Sequence, residues 1–315
     1  MIITPFLLSS VTIRYKNYLM NHSQKRKIKE TAIEAILLLC ALFSVFITLS
    51  IVLLLSYESF GFFKEVSLKE FFTGTQWTPL FAEPKFGILP LVSGTLLTTG
   101  IAVALALPLG LLVAVYLSEF APNKMREVIK PVLELLAAVP TVVYGYFALL
   151  FLTPILQRFI PDLSGFNALS PGIIMGIMII PYVSSVSEDA MIAVPMHIRE
   201  GSYAMGATKL QTAFKVIIPS AFSGIAAAFI IGISRAIGET MVVAIAAGGM
   251  PNLTANPLEP VQTLTAYIVQ VSLGDAPHGT VEYKTIFAAG MTLFFMTLGF
   301  NILGFWLRKR IREVY

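Results

Sequence analysis

The sequence predicts an all-α protein of six membrane-spanning helices, and three observations predict it. Apolar residues fill 56% of the 315 positions and charged residues only 13%, a balance that excludes an ordinary soluble domain. Apolar runs of bilayer length recur six times along the chain. Lysine and arginine then fall unequally on the two sides that those runs define.

Residues 1 to about 30 read as a mobile cytoplasmic tail. Ile2 to Ser10 is apolar but lacks the basic leader of a signal peptide, and Met20 is an alternative start. Ile36 to Leu55 is an uncharged run of 20 residues, about 30 Å as a helix, which matches the hydrocarbon core. Phe86 to Ser118 is also uncharged and longer than one crossing needs, so a helix at about residues 90–117 follows a short lead-in. Leu135 to Gln157 gives a third span interrupted by Pro140, and Ser170 to Ser187 a fourth containing Pro181. Ile217 to Gly248 is the fifth and Thr285 to Leu307 the sixth. Pro108, Pro140 and Pro181 each remove a backbone donor and read as helix kinks.

With the N-terminus inside, the inner side holds Arg14, Lys16, Lys25, Arg26, Lys27, Lys29, Lys124, Arg126, Lys130, Arg199, Lys209, Lys215, Arg308, Lys309, Arg310 and Arg312. The outer side holds Lys64, Lys69, Lys85, Arg158 and Lys284. Sixteen against five places both termini in the cytoplasm. Two outer segments are long, residues 56–88 and 249–284, and Phe71, Phe72, Trp77 and Phe81 in the first read as an interfacial aromatic belt or a docking surface. Glu119, Glu134, Glu188 and Asp189 read as solvated charges at the inner membrane surface, and Tyr144 and Tyr146 as packing residues.

Two charges interrupt the fifth span. Arg235 and Glu239 stand four residues apart, a spacing that puts both on one face of a continuous helix. A charge at membrane depth costs roughly 3 kcal/mol or more, so intramembrane charges default to function. The alternative is a structural ion pair. With Thr240 beside them they form the candidate pathway for a charged solute. Arg235 offers planar donors suited to two-point contact with an oxyanion, and Glu239 is placed to compete for that guanidinium when the path is empty. The same span carries a small residue at every fourth position, including Gly224, Ala228, Gly232 and Ala236. Such a row lets helix backbones approach closely, between subunits or within one.

No G-x-x-x-x-G-K-[ST] stretch occurs, so the chain carries no phosphate-cradling loop for ATP. His22, His197 and His278 lack ligand spacing, which predicts no metal site, and the single cysteine, Cys40, permits no internal disulfide. Residues 199–219, REGSYAMGATKLQTAFKVIIP, are polar enough to leave the membrane. They read as a short helix, a bend at Gly206, and a second helix ending near Pro219.

This loop resembles the signature loop of ABC importer permeases, with Glu200 at the acidic position, Gly206 six residues later and Pro219 at the end. Gly201 and Ser202 stand where that family has two alanines. The segments SRAIGETMVVAIAAG, FGILPLVSGTLLTTGIAVALALPLGLLVAVYLSE and AAVPTVVYGYFAL are similar to permease subunits of the bacterial phosphate importers. The resemblance implies a six-helix ABC importer permease domain over residues 31–315, in the bacterial inner membrane. It implies that Glu200, Gly206, Ala207 and Pro219 couple the chain to a separate ATPase subunit dimer, which alone uses ATP and magnesium. It also implies a second permease subunit, an external phosphate-binding protein, and inorganic phosphate as cargo. Two rivals remain at this stage: a proton-coupled secondary anion transporter, and the same permease with molybdate or sulfate as cargo. A membrane hydrolase would need a histidine cluster, nucleophile elbow or paired carboxylates that the sequence lacks.

Overall fold

The computed structural model describes residues 4–274 and 277–310, with side chains at 27, 29–274, 277–306 and 309. Met1 and Arg312 lie outside the described residues, as do the side chains of Arg14, Lys16, Met20, His22, Lys25, Arg26, Arg308 and Arg310. Contacts divide the chain into two units, Met1–Tyr57 and Glu58–Tyr315. The first is helical: α1, Thr4–Phe63, includes residues expected to be a tail and then the first span.

In the second unit the described elements are again helical. Two isolated bridge pairs, Trp77 with Phe86 and Gly248 with Val261, are its extended contacts. After α2, Leu68–Thr73, comes α3, Leu89–Val115, which ends in a wider π turn, Tyr116–Phe120. An amphipathic α4, Asn123–Ala138, precedes α5, Thr141–Phe147, and α6, Thr153–Phe159, joined through the π turn Ala148–Leu152. The third crossing is therefore Thr141–Phe159, not Leu135 to Gln157. Pro140 stands at the N-cap of α5 and separates two helices instead of kinking one, because proline suits a helix start and its ring excludes the preceding residue from helical geometry. Pro108 and Pro181 do lie inside helices, α3 and α7, Leu169–Ile192.

The inner loop holds α8, Met196–Ala204, and α9, Lys209–Thr212, followed by the π turn Ala213–Ile217 and α10, Ile218–Ser220. The chain then bends by 74° into α11, Phe222–Ile237. After a break comes α12, Met241–Ala246, then α13, Leu264–Ser272, and finally α14, Val281–Arg310. Five described helices are long and apolar enough to cross a membrane, and the bent pair around Ala221 supplies the sixth.

Glycines let α3 and α7 pack closely. A Cβ on Gly172 would stand 2.8 Å from Ile101, one on Gly176 2.9 Å from Leu105, and one on Gly110 2.7 Å from Val183. Gly94, Thr98, Ala102, Ala106, Gly110 and Ala114 form a buried four-residue row along α3. The row on α11 packs inside the chain too. Ala228, Gly232 and Ala236 are buried, a Cβ on Gly224 would meet Ala190 at 2.4 Å, and one on Gly232 would meet Val183 at 3.0 Å. That face is thus covered by α7 and is not free for a second permease subunit.

The segments around α2 and α13 build a second core. Phe71 and Trp77 are buried with Phe62, Ile88 and Tyr267, and Trp77 meets the Tyr267 ring edge-on at 5.1 Å between centroids. Only Phe72 and Phe81 of the proposed belt are exposed. The aromatic cluster folds α2 onto α13 and α14, a burial worth about 1.5–3 kcal/mol per large apolar side chain. Burial also raises the Tyr267 hydroxyl above the usual phenol range, so it stays neutral beside Thr285.

Gly232→Leu should lower the melting temperature of the purified subunit on its own, by an overpacking cost of about 1–3 kcal/mol. An unchanged melting temperature, with loss only of subunit assembly, would return this face to a partner.

Candidate functional site

The apolar stretch 217–248 does not form one helix. Gly238 caps α11 with its N–H on Ser234 O at 3.2 Å, and Thr240, at φ −118°, is the N-cap from which α12 starts. Glycine is a poor helix former, and the next side chain offers the backbone another partner. Glu239 Oε1 accepts the N–H groups of Met241 at 3.2 Å and Val242 at 3.4 Å, capping α12. A carboxylate there also faces the positive end of the helix. The Glu239 carbonyl accepts the Thr265 hydroxyl at 2.7 Å, and the Thr240 hydroxyl donates to Gly238 O at 3.1 Å. The break is therefore closed by the protein itself, the condition for irregular backbone among membrane spans.

Arg235 and Glu239 consequently do not share a helical face. Ion pairs among the described residues are Arg126–Glu188, Lys130–Glu188, Arg199–Glu119 and Lys284–Glu65, and Arg235 is in none of them. Glu239 is buried and committed to α12, so the expected competition for the guanidinium is absent. Arg235 instead lies over the ring of Tyr182, its Cζ 4.1 Å from the centroid. Its Nε–H is buried without a hydrogen-bond partner. Such a cation–π contact is worth roughly 0.5–2 kcal/mol, and the last turn of α11 adds a favourable dipole.

Tyr182 is the residue that sequence reasoning missed. The one available signal was an aromatic directly after Pro181 in a charge-poor span. Its hydroxyl reaches Ala137 O of α4 at 3.4 Å, so α4, α7 and α11 meet around the ring. Tyr182 also walls a cleft of about 280 Å³ with Lys130, Glu134, Ala137, Ser185 and Glu188. A larger groove of about 400 Å³, between α11 and α14, is lined wholly by apolar residues such as Ile225, Phe229 and Phe300 and has no donor for an anion. Tyr144 is buried and donates to Leu136 O at 2.7 Å, whereas Tyr146 is exposed.

Two of the acids expected in solvent are not there. Glu188 is 1% exposed beside Lys130, and Glu119 is 7% exposed beside Arg199. The inner loop has the expected helix–bend–helix form. Glu200 is exposed on α8, and Gly206 makes the bend at φ +82°, a region that side chains disfavour. Ala207 N–H returns to Ser202 O at 3.2 Å, and Thr208 caps α9 in a reciprocal box with Gln211. Pro219 is exposed in α10, two residues before the 74° bend. Met205 and Leu210 leave apolar surface on this loop.

Comparison with known proteins places this architecture. A probable ABC transporter permease, YqgH of Bacillus subtilis, is 35% identical over 294 residues, covering 93% of this chain and 95% of that protein. The phosphate transport system permease PstC of Xylella fastidiosa is 32% identical, covering 72% and 74%. Among solved structures, a bacterial alginate ABC transporter aligns at a TM-score of 0.57 with 18% identity, over 81% of this chain and 86% of that one. The inward-facing MetNI methionine ABC transporter aligns at 0.55 with 17% identity, over 72% and 98%. These two share the fold. The family profile of the binding-protein-dependent transport system inner membrane component matches residues 106–313. By that match and those relatives, the chain belongs to the binding-protein-dependent transport system inner membrane component family, the multi-pass permease subunits of ABC importers.

Proposed function

We propose that this chain carries inorganic phosphate across the inner membrane, as one of two permease subunits in an importer. A PstB-like ATPase dimer drives it, using ATP and magnesium; a PstA-like permease completes the pathway; a PstS-like binding protein delivers phosphate from outside. The relatives named for phosphate transport support the cargo. The Lys and Arg asymmetry supports cytoplasmic termini. Family membership gives the energy to a separate ATPase, which removes the need for a proton relay through Arg235 and Glu239.

The observation that carries the cargo reading is the seat of Arg235. Tyr182 takes one face of the guanidinium, which leaves the in-plane donors directed away from the ring. Among the described residues Nε–H has no acceptor and no carboxylate pairs with the group. Two parallel N–H donors fit two oxygens of a tetrahedral anion. Glu239 and Thr240 act differently: both spend their side chains on the break, holding Arg235 at the end of α11. The exposed loop with Glu200, Gly206, Ala207 and Pro219 docks on the ATPase.

Arg235→Lys keeps charge and loses the fork, so phosphate uptake by reconstituted complexes should fall about tenfold or more, the value of one charge-assisted hydrogen bond. Uptake at the unaltered rate would remove Arg235 from the pathway. Glu239→Gln retains an acceptor for Met241 and Val242 and should keep most uptake, while Glu239→Ala should lose it together with thermal stability, at about 1 kcal/mol for a lost cap. Equal effects of the two would contradict the capping role. On the inner loop, Gly206→Val forces a branched side chain into left-handed backbone. Less ATPase should then co-purify, and undiminished recovery would count against docking here.

A further inference from the structure

We propose that Glu119, Arg126, Glu188 and Arg199 form a crossed clasp that makes the inner ends of α3 and α7 move as one body with α8. They are positioning residues for transport, and the proposal rests on reading α8 as the ATPase-docking helix. Arg126, in the first turn of α4, donates to the carbonyl of Leu117 from Nε at 3.1 Å and from Nη2 at 2.5 Å, and from Nη2 to Ser118 O at 3.3 Å. It thereby caps the end of α3, and its Nε lies 3.7 Å from Glu188 of α7. Arg199, on α8, does the converse. Its Nη1 donates to Val194 O at 2.9 Å and its Nη2 to Met191 O at 2.7 Å, capping α7, while Nη2 pairs with Glu119 of the α3 π turn at 3.2 Å. Each guanidinium caps one helix and stands beside the carboxylate of the other, Arg199 hydrogen-bonded to Glu119 and Arg126 at ion-pair distance from Glu188.

Capping needs only carbonyls, which helix ends always supply. The carboxylates are the additional feature, and both are nearly excluded from solvent. Removing either member of the Arg199–Glu119 pair would leave its partner's charge largely buried and uncompensated, which ties the two helix ends together. Lys130, 3.0 Å from Glu188, and the Ser118 hydroxyl, 3.1 Å from Glu119, complete the surroundings. Through this clasp a displacement of α8 reaches α3 and α7 together. Tyr182 lies six residues before Glu188 on α7, about 9 Å along the helix, and carries Arg235 on its ring.

The test uses the full chain in its importer complex, with Cys40→Ser and spin labels attached at Leu112→Cys on α3 and Met196→Cys on α8. With the clasp intact, the label separation should hold to within about 1 Å with and without ATP. In Glu119→Gln combined with Arg199→Lys, it should shift by about 2 Å or more on ATP binding, the scale of helix displacements in switching proteins. Phosphate moved per ATP hydrolysed should fall about tenfold. Both substitutions keep polar side chains of similar size, and melting temperature is followed alongside. A separation that moves with the clasp intact overturns the proposal. So does a variant with a lowered melting temperature but an unchanged separation and transport ratio. An unaltered complex that hydrolyses ATP with a fixed separation, loosened in the variant, yet moves no phosphate upholds the clasp and discards the cargo reading.

Discussion

Close packing of α3 against α7, with glycines of each helix seated on side chains of the other, sets the positions of the polar groups in the second unit. At Gly110, Gly172 and Gly176 a Cβ would come within 2.7–2.9 Å of the facing side chain, so any larger residue would push the two helices apart. Water is absent from the lipid-facing surroundings, so hydrophobic burial does not drive helices together there; close van der Waals contact does. α11 then packs on another side of α7 through Gly224, Ala228 and Gly232. α7 thus becomes the shared wall of the second unit, and its own polar residues, Tyr182 and Glu188, are the ones that reach other helices.

The charges inside this frame divide into two kinds. Glu119, Glu188 and Arg199 have charged partners within 3.2 Å, and Arg126 serves both a carbonyl pair and a carboxylate. The Arg199–Glu119 pair is largely buried, and removing one member would leave the other charge uncompensated, whereas Arg126 and Lys130 reach Glu188 from more exposed positions. Arg235 is held by an aromatic ring worth at most about 2 kcal/mol and keeps a buried donor unused. Its hold is of a different kind, with no opposing charge among the described residues.

Hydropathy and the alternation of basic residues made six spans and the inner loop legible, since both signals come from the bilayer and not from tertiary detail. The break at Gly238 was not legible. Three residues in a long apolar stretch barely change a hydropathy window, and the four-residue spacing of Arg235 and Glu239 carries meaning only while the helix continues. A carboxylate that caps the next helix looks the same in sequence as one that pairs with the previous turn. Leu135 to Ala138 joined the third span on paper because the apolar stripe of amphipathic α4 runs straight into it. The small-residue row on α11 was visible, yet its partner was not; the longer row on α3, Gly94 to Ala114, passed unread. Trp77 and Phe71 looked like a membrane belt since composition cannot tell a loop's own core from an interface.

An arginine that binds and releases an anion repeatedly needs desolvation without a rival anion nearby. A carboxylate at ion-pair distance would have to be displaced at every cycle, and the exchange would leave it buried and unpaired. The Tyr182 ring avoids that exchange: it neutralises nothing and lies against one face of the guanidinium, so no anion has to be displaced from it. Glu239 contributes by being elsewhere, with its charge spent on the first turn of α12. Since Tyr182 rides on α7, any movement of that helix alters the seat itself. On the proposed reading of Arg235 as the anion's foothold, affinity is thereby tied to the position of α7 and of the loop that α8 belongs to.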